Sequence, residues 1–281
     1  MLENIIFLSV PIIACVLLAG ILGYFGNHIL TRGIIFIDIA LAQIAALGTM
    51  IGILMGFAEE SFSVEAVSMI FTLVVISFFA LTKFEKQRIP QEAIIGIIYG
   101  LSLGIAMLFA EYIPGGSNYI TKTITGNILW CTWDHIISCL ITFAVIGIIH
   151  IFLGKYFIKI SESKDRFPFS YKKVRVLELI FYITFGIVVV KAVPIGGIFL
   201  VFTLLIAPTS IATIFTRQWK YRFILSWLIG IIGSVVGMII SYNLDISNGP
   251  AIVCLIGLFV FILAFGKIIF GKSNRLKRVT E

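Results

Sequence analysis

Charged side chains are scarce in this sequence. Asp, Glu, Lys and Arg make up 12% of its 281 residues, and 60% of the residues are hydrophobic. An average soluble domain contains about 25% charged residues, and a soluble chain of this length leaves a large surface in water. The shortage of charge therefore excludes an ordinary soluble enzyme and a disordered chain. It predicts an all-α protein whose helices cross a membrane many times.

Patterns for metal binding and covalent catalysis are also missing. The four cysteines form no CxxC pair, and the three histidines form no HxxH or HxxxH pair, so no zinc motif is indicated. An HExxH motif and a pair of aspartates in separate apolar runs are absent as well, which argues against an intramembrane protease. We expect His28, His135 and His150 to lie near the membrane interfaces rather than to bind metal.

One nucleotide-binding pattern does occur by its letters. Residues 266–273 match GxxxxGK followed by Ser or Thr. A working P-loop follows a strand and begins a helix whose N–H groups hold phosphate. This stretch instead follows an apolar run, and eight residues remain after Ser273. We interpret Lys267 and Lys272 as the basic flank of a membrane helix, and we predict no ATPase site and no cofactor in this chain.

Long apolar runs predict the membrane helices. A helix needs about 20 residues to cross the hydrocarbon core. Nine runs approach this length, at about residues 4–26, 33–56, 66–82, 93–110, 135–153, 177–190, 195–214, 223–241 and 250–270. The run 177–190 is short, and Pro194, Gly196 and Gly197 follow it, so eight spans plus one broken helix is the alternative. Residues 1–281 are predicted to form a single transmembrane domain.

Basic residues are distributed unevenly between the predicted loops. With nine spans, 19 of the 21 Lys and Arg residues fall on one face, in the segments 27–32, 83–91, 154–176, 215–222 and 267–278. The opposite loops hold only Lys122 and Lys191, together with several acidic residues. Because cytoplasmic loops carry an excess of Lys and Arg, the N-terminus is predicted to lie outside and the C-terminus in the cytoplasm.

Two polar residues, Asp38 and Gln43, lie inside the apolar run 33–56. An ionisable group in a membrane helix is costly and usually faces a cavity or a partner. Five residues correspond to about 140° around a helix, so the two side chains would border a pore at different heights. The alternative is that Asp38 reaches the cytoplasmic interface or pairs with Arg32.

The segment from Pro208 to Arg222 follows the apolar run 195–214. Pro208 predicts a break, after which a short cytoplasmic helix begins. Ile211, Ile214 and Phe215 are spaced to form one apolar face, and Arg217 follows. Such a helix would dock into a groove of a partner; the alternative is a loop that only contributes to the charge bias.

Several stretches of the chain match a set of family motifs in order. They are Asp38 to Gly48, Gln91 to Ile97, Thr125 to Leu129, Val193 to Ala212 and Leu244 to Val253. The first is similar to GDxxxHAxLPG, the third to FGNIL and the last to LDxPxGPxIV. Through these motifs the chain resembles the permease subunits of the bacterial ABC importers for zinc, manganese and iron.

This resemblance implies a role in the plasma (inner) membrane. Two copies of the chain, or the chain and a relative, would form a path for a divalent metal cation. Cytoplasmic ATPase subunits would grip the segment from Pro208 to Arg222, and an extracytoplasmic binding protein would deliver the metal. Asp38 and Gln43 would contact the cation, although Gln43 replaces the histidine of the family motif and Asp38 lies one position early. A carboxylate and an amide oxygen suit manganese or iron at least as well as zinc.

Two other classes remain as alternatives. A secondary cation transporter should show inverted repeats and several carboxylates near the membrane midplane, and neither is evident. A membrane enzyme would need a nucleophile, a base or metal ligands grouped together, and no such group is evident in the sequence.

Overall fold

The computed structural model describes residues 2–59, 61–82, 90–163 and 169–277, with the side chains of residues 2–7, 81–82 and 267–277 left out of the description. These residues form helices and contain no strand, which confirms the all-α prediction. The helices are α1 (Leu2–Arg32), α2 (Ile37–Leu54), α3 (Phe62–Thr82), α4 (Gln91–Ala110), α5 (Gly116–Thr125), α6 (Trp133–Glu162), α7 (Tyr171–Phe215), α8 (Trp219–Leu244) and α9 (Asn248–Lys277). A 3-10 turn, Ile128–Trp130, precedes α6.

Among the described residues, eight helices are long and apolar enough to cross a membrane, namely all of the above except α5. The shortest of them, α2, has 18 residues, which gives a length of about 27 Å at 1.5 Å per residue. This length approaches the hydrocarbon thickness of a bilayer. α5 has ten residues and is too short to cross.

α7 crosses the bundle twice because its backbone reverses at Gly197. This residue has φ 73° and ψ 164°, far from helical values, within a 45-residue helix. Before the reversal, Glu178 binds Arg32 at the C-terminal end of α1. After it, Trp219, just beyond α7, packs against His28 at the same end of α1. Both ends of α7 therefore lie beside the end of α1, and Gly197 lies at the opposite end of the bundle.

The tip of this helical hairpin rests against the chain that follows α5. Asn127 donates its N–H to the carbonyl of Ile195 at 3.2 Å. A Cβ on Gly197 would collide with the backbone of Gly126, and a Cβ on Gly126 would collide with Gly196. Both Gly126 and Gly197 also have positive φ, a conformation that glycine adopts without steric cost. Glycine is thus needed on both sides of this contact.

The hairpin reconciles the two span counts considered above. The arms 171–196 and 198–215 each have the roughly 18 residues or more that a crossing takes. Counting both arms, the described residues cross the bundle nine times within eight long helices. The chain consequently starts at one end of the bundle and leaves α9 at the other.

The two ends of the bundle differ in charge. The basic end carries Arg32, Lys155, Lys159, Lys172, Lys173, Arg175, Arg217, Lys220 and Arg222. The acidic end carries Glu59, Glu65, Glu111, Asp134 and Asp245. The predicted basic residues Lys83, Lys86, Arg88, Lys164, Arg166 and Arg278 lie outside the described residues. Arg32, predicted in a loop, belongs instead to the last turn of α1.

Close helix packing uses some of the glycines but not others. A Cβ on Gly48 would collide with Ser68 of α3, and a Cβ on Gly237 would collide with Ile252 of α9. Glycine lets helix backbones approach closely in lipid. By contrast, Gly96, Gly100 and Gly104 of α4 have no described atom within 4 Å of an added Cβ. That face of α4 is open within the described chain.

Candidate functional site

Asp38 lies in the first turn of α2 and is buried, with 2% of its surface exposed. Its Oδ1 atom has no hydrogen-bond partner among the described residues. Burial of an unpaired carboxylate costs free energy, so a residue in this state is a strong candidate for a ligand-binding role. The side chain is enclosed by protein and does not reach the surface at the basic end of the bundle, which argues against one of the alternatives considered from the sequence.

The second alternative was an ion pair between Asp38 and Arg32, but Arg32 pairs with Glu178 instead. Its Nη1 lies 2.9 Å from Oε2 of Glu178, and both side chains are almost fully buried. Its Nε donates to Oγ of Ser161 at 2.9 Å, and the guanidinium lies 3.8 Å from the centre of the Phe181 ring. Glu178 was not identified as a candidate residue from the sequence. An acidic residue inside an apolar run was the signal that identified Asp38, and Glu178 lies in the run 177–190.

The turn before Asp38 is held by the first residues of α4. Glu92 accepts a hydrogen bond from the backbone N–H of Ile35 at 3.1 Å. The motif Gln91 to Ile97 thus begins with a side chain that connects α4 to the α1–α2 turn, directly before the start of α2.

Two of the three histidines are enclosed by neighbouring helices. His28 and His150 are 0% and 4% exposed. Thr184 donates its own hydroxyl to Ile180, so Nε2 of His150 donates to Thr184 at 2.8 Å and Nδ1 accepts from Tyr24 at 2.9 Å. His135, by contrast, is exposed and closes a capping box with Thr132 at the start of α6.

Gln43 lines a narrow cleft between α2, α4 and α5. The other lining residues include Met50 of α2, Ala106 of α4, and Tyr119 and Thr123 of α5. Asp38 is not among them, and it lies five residues nearer the basic end, about 7.5 Å along the helix axis. The two predicted residues therefore occupy one helix at different depths and do not share this cleft.

No group of three or more His, Cys, Asp and Glu side chains in the described part of the chain is placed to hold a metal ion. A resident metal cage of the usual kind is thus not found within those residues. What the chain offers along α2 is a buried carboxylate and, further toward the acidic end, an amide in a cleft.

The predicted short helix from Pro208 does not form, which corrects the expectation of a break there. α7 continues through Pro208 to Phe215. Neighbouring helices stabilise prolines inside membrane helices, and Pro208 is buried in the second arm of α7. Ile211 is 1% exposed and Phe215 is 63% exposed, so these two residues do not share one exposed apolar face. Ile214 is half-buried.

The turn after α7 is attached to two other helices at the basic end. The indole N–H of Trp219 donates to Oε1 of Glu162, the last residue of α6. Arg222 Nη2 donates to the hydroxyl of Thr31 in α1 at 3.3 Å. The exposed residues Phe215 and Arg217 therefore lie on a turn that is held beside the end of α6.

Comparisons with known proteins agree on one family. A model of the ABC 3 transport family matches residues 4–267. The manganese transport system membrane protein MntC of Listeria innocua is 23% identical over 261 residues, covering 92% of this chain and 90% of that protein. A probable iron transport system membrane protein of Haemophilus influenzae is 25% identical over 185 residues, covering 66% of this chain and 68% of that protein.

A solved structure shares the fold. The chain matches a chain of PsaBC from Streptococcus pneumoniae in complex with Fab, with a TM-score of 0.74 and 19% identity. The match covers 93% of this chain and 95% of that chain. The helical arrangement described above is therefore that of a known membrane-protein fold.

Proposed function

Because the chain belongs to the ABC 3 transport family, we propose that it is the permease subunit of an ATP-binding-cassette importer for a divalent metal cation. The observation that carries this proposal is the family match over residues 4–267. Relatives named for manganese and iron transport support a metal as the cargo. With eight membrane-length helices among its described residues, the chain is a multi-pass protein of the bacterial plasma (inner) membrane, and we propose that residues 1–281 form one permease domain.

The basic end is proposed to face the cytoplasm, with the N-terminus outside. The bias in Lys and Arg supports this orientation. The acidic end carries two basic residues among the described residues, Lys122 and Lys191, and each lies beside a glutamate. Lys122 lies 3.6 Å from Glu59, and Lys191 pairs with Glu65.

Asp38 and Gln43 are proposed to contact the cation during its passage. Asp38 supports this role because its buried carboxylate has an unsatisfied oxygen, which a passing cation would satisfy. Gln43 supports it because its buried side chain borders a cleft between α2, α4 and α5. Both provide oxygen, the donor atom that manganese and ferrous iron accept readily.

The basic end is proposed to receive the ATPase subunits, since this chain would have no ATPase site of its own. The contact surface comprises Phe215 and Arg217, which are exposed beside the end of α6. Pro208 and Ile211 are buried. Together with the half-buried Ile214, they would transmit the movement of the ATPase subunits to the second arm of α7. An exposed aromatic next to a cation is typical of residues that anchor protein interfaces.

Two further partners are proposed. An extracytoplasmic metal-binding protein would dock on the acidic end, where Glu111 and Asp245 are exposed and attract a cationic load or basic side chains. A second copy of the chain would pack along α4, whose glycine face at Gly96, Gly100 and Gly104 is open among the described residues.

Reconstitution tests the proposed function directly. The permease and its ATPase are placed in liposomes with the binding protein, and uptake of Mn²⁺ is followed with and without ATP. We expect uptake only with ATP and only when the ATPase has an intact nucleotide site. Uptake by the permease alone along a proton gradient would instead support a secondary transporter.

A further inference from the structure

Glycine contacts at both ends of α5 position this helix beside the cleft between α2, α4 and α5. At its start, the backbone of Gly116 packs on Ala110, and a Cβ there would collide with that backbone. Just after its end, Gly126 packs on Gly196 at the tip of α7 in the same manner. Since neither contact has room for a side chain, the two fix the position of α5 over the cleft.

The polar groups that line the cleft offer oxygen. Gln43 contributes an amide, and Tyr119 and Thr123 contribute hydroxyl groups. Tyr119 and Thr123 lie one helical turn apart on α5, and the Thr123 hydroxyl donates to the backbone carbonyl of Tyr119 at 2.9 Å. No histidine or cysteine lines the cleft, and its sulfur is the Met50 thioether, a weak ligand.

These oxygen ligands are neutral at ordinary pH. An amide, a threonine hydroxyl and a phenol, whose ordinary pKa is about 10, carry no charge at neutral pH. Neutral oxygens bind a divalent cation weakly, and a cation must be able to leave each site along its path. The negative charge comes from Asp38, about 7.5 Å further along α2.

We propose that this cleft is the outer part of the cation path, and that Gln43, Tyr119 and Thr123 favour an oxygen-preferring divalent cation such as Mn²⁺ over Zn²⁺. The inference rests on the proposed function and extends it to α5, which contains none of the site residues predicted from the sequence. Its physical reason is ligand chemistry. Carbonyl and water oxygens suit Mn²⁺, whereas Zn²⁺ is held best by nitrogen and sulfur, which this cleft lacks apart from Met50.

Selectivity of uptake tests the inference. ATP-driven initial rates for Mn²⁺ and for Zn²⁺ are measured in the reconstituted importer, and their ratio is compared between variants. Tyr119→Phe and Thr123→Val each remove one oxygen while keeping the shape of the side chain. Each should lower the Mn²⁺/Zn²⁺ ratio about three- to tenfold, the effect of one polar contact. Gln43→His supplies a nitrogen and should move the ratio toward Zn²⁺.

Thr121→Val is the matched control, because Thr121 lies on the exposed side of α5 and bonds only within that helix. Its ratio should equal that of the parent chain. ATP-driven uptake with an unchanged ratio in both Tyr119→Phe and Thr123→Val would overturn the inference and leave the proposed function intact. Absence of ATP-driven uptake of either metal by the parent importer would overturn the proposed function itself. Two independent conservative variants keep the test valid if one of them misfolds.

Discussion

The buried ion pair between Arg32 and Glu178 allows a quantitative prediction. Their side chains are 2% and 3% exposed, and their charged atoms are 2.9 Å apart. Arg32 also donates to Ser161, so the pair joins α1, α6 and α7 near the basic end. Replacing Glu178 with Ala removes the countercharge and leaves the guanidinium in the same buried place.

The expected loss in stability is large for one side chain. Breaking a buried pair by removing one partner costs about 3–5 kcal/mol, because the remaining charge is neither paired nor hydrated. The exposed pair of Lys122 and Glu59 is the matched control. Its side chains are 49% and 51% exposed and 3.6 Å apart, and pairs of this kind contribute about 0–1 kcal/mol. Lys122→Ala should therefore change stability little.

Both effects are measured by heating the purified protein in detergent and following its monodisperse peak in size-exclusion chromatography. The denaturation temperature is the temperature at which half of this peak is lost. Glu178→Ala should lower this temperature markedly, and Lys122→Ala should leave it near the parent value. The double variant Arg32→Leu with Glu178→Leu should recover much of the loss, because apolar residues replace a buried pair at little cost. Equal stability of Glu178→Ala and Lys122→Ala would refute the assigned role of the pair.

Three other outcomes are expected. Gly197→Ala should lower the denaturation temperature, because a Cβ there meets the backbone of Gly126. Gly100→Ala should not, because the space around Gly100 is open, and equal losses in both variants would contradict the hairpin contact. Asp38→Asn should reduce Mn²⁺ uptake about tenfold or more without lowering the denaturation temperature, since Oδ1 of Asp38 has no partner among the described residues. Uptake equal to that of the parent chain would show that Asp38 does not lie on the cation path. Phe215→Asp should weaken ATPase capture in a pull-down about tenfold, and undiminished capture would place the docking surface elsewhere.

Much of the architecture could be predicted from the sequence. A membrane helix must satisfy its backbone internally and present apolar side chains to lipid, so the apolar runs indicate the helices directly. For example, the predicted run 93–110 lies within α4, and the run 223–241 lies within α8. The charge bias between loops is likewise a property of the sequence, because it depends only on which runs the basic residues separate.

Several features depended on tertiary contacts. The sequence around Gly197 indicated a break, but only the contacts of Glu178 and Trp219 with the end of α1 show that the chain reverses there. Pro208 predicted a helix end by local rules, yet the packing around the second arm of α7 keeps the helix continuous. In both cases the sequence marked the position, and the packing of neighbouring helices decided what the backbone does there.

The same division applies to the candidate site. The sequence by itself identified Asp38 and Gln43, because a polar group inside an apolar run is costly and therefore informative. It could not show that Arg32 pairs with Glu178, so that Asp38 has no arginine partner. Nor could it show that Tyr119 and Gln43 line the same cleft. A polar side chain is satisfied by whichever group the fold brings within about 3 Å, and residues far apart in the chain meet at that distance only through helix packing.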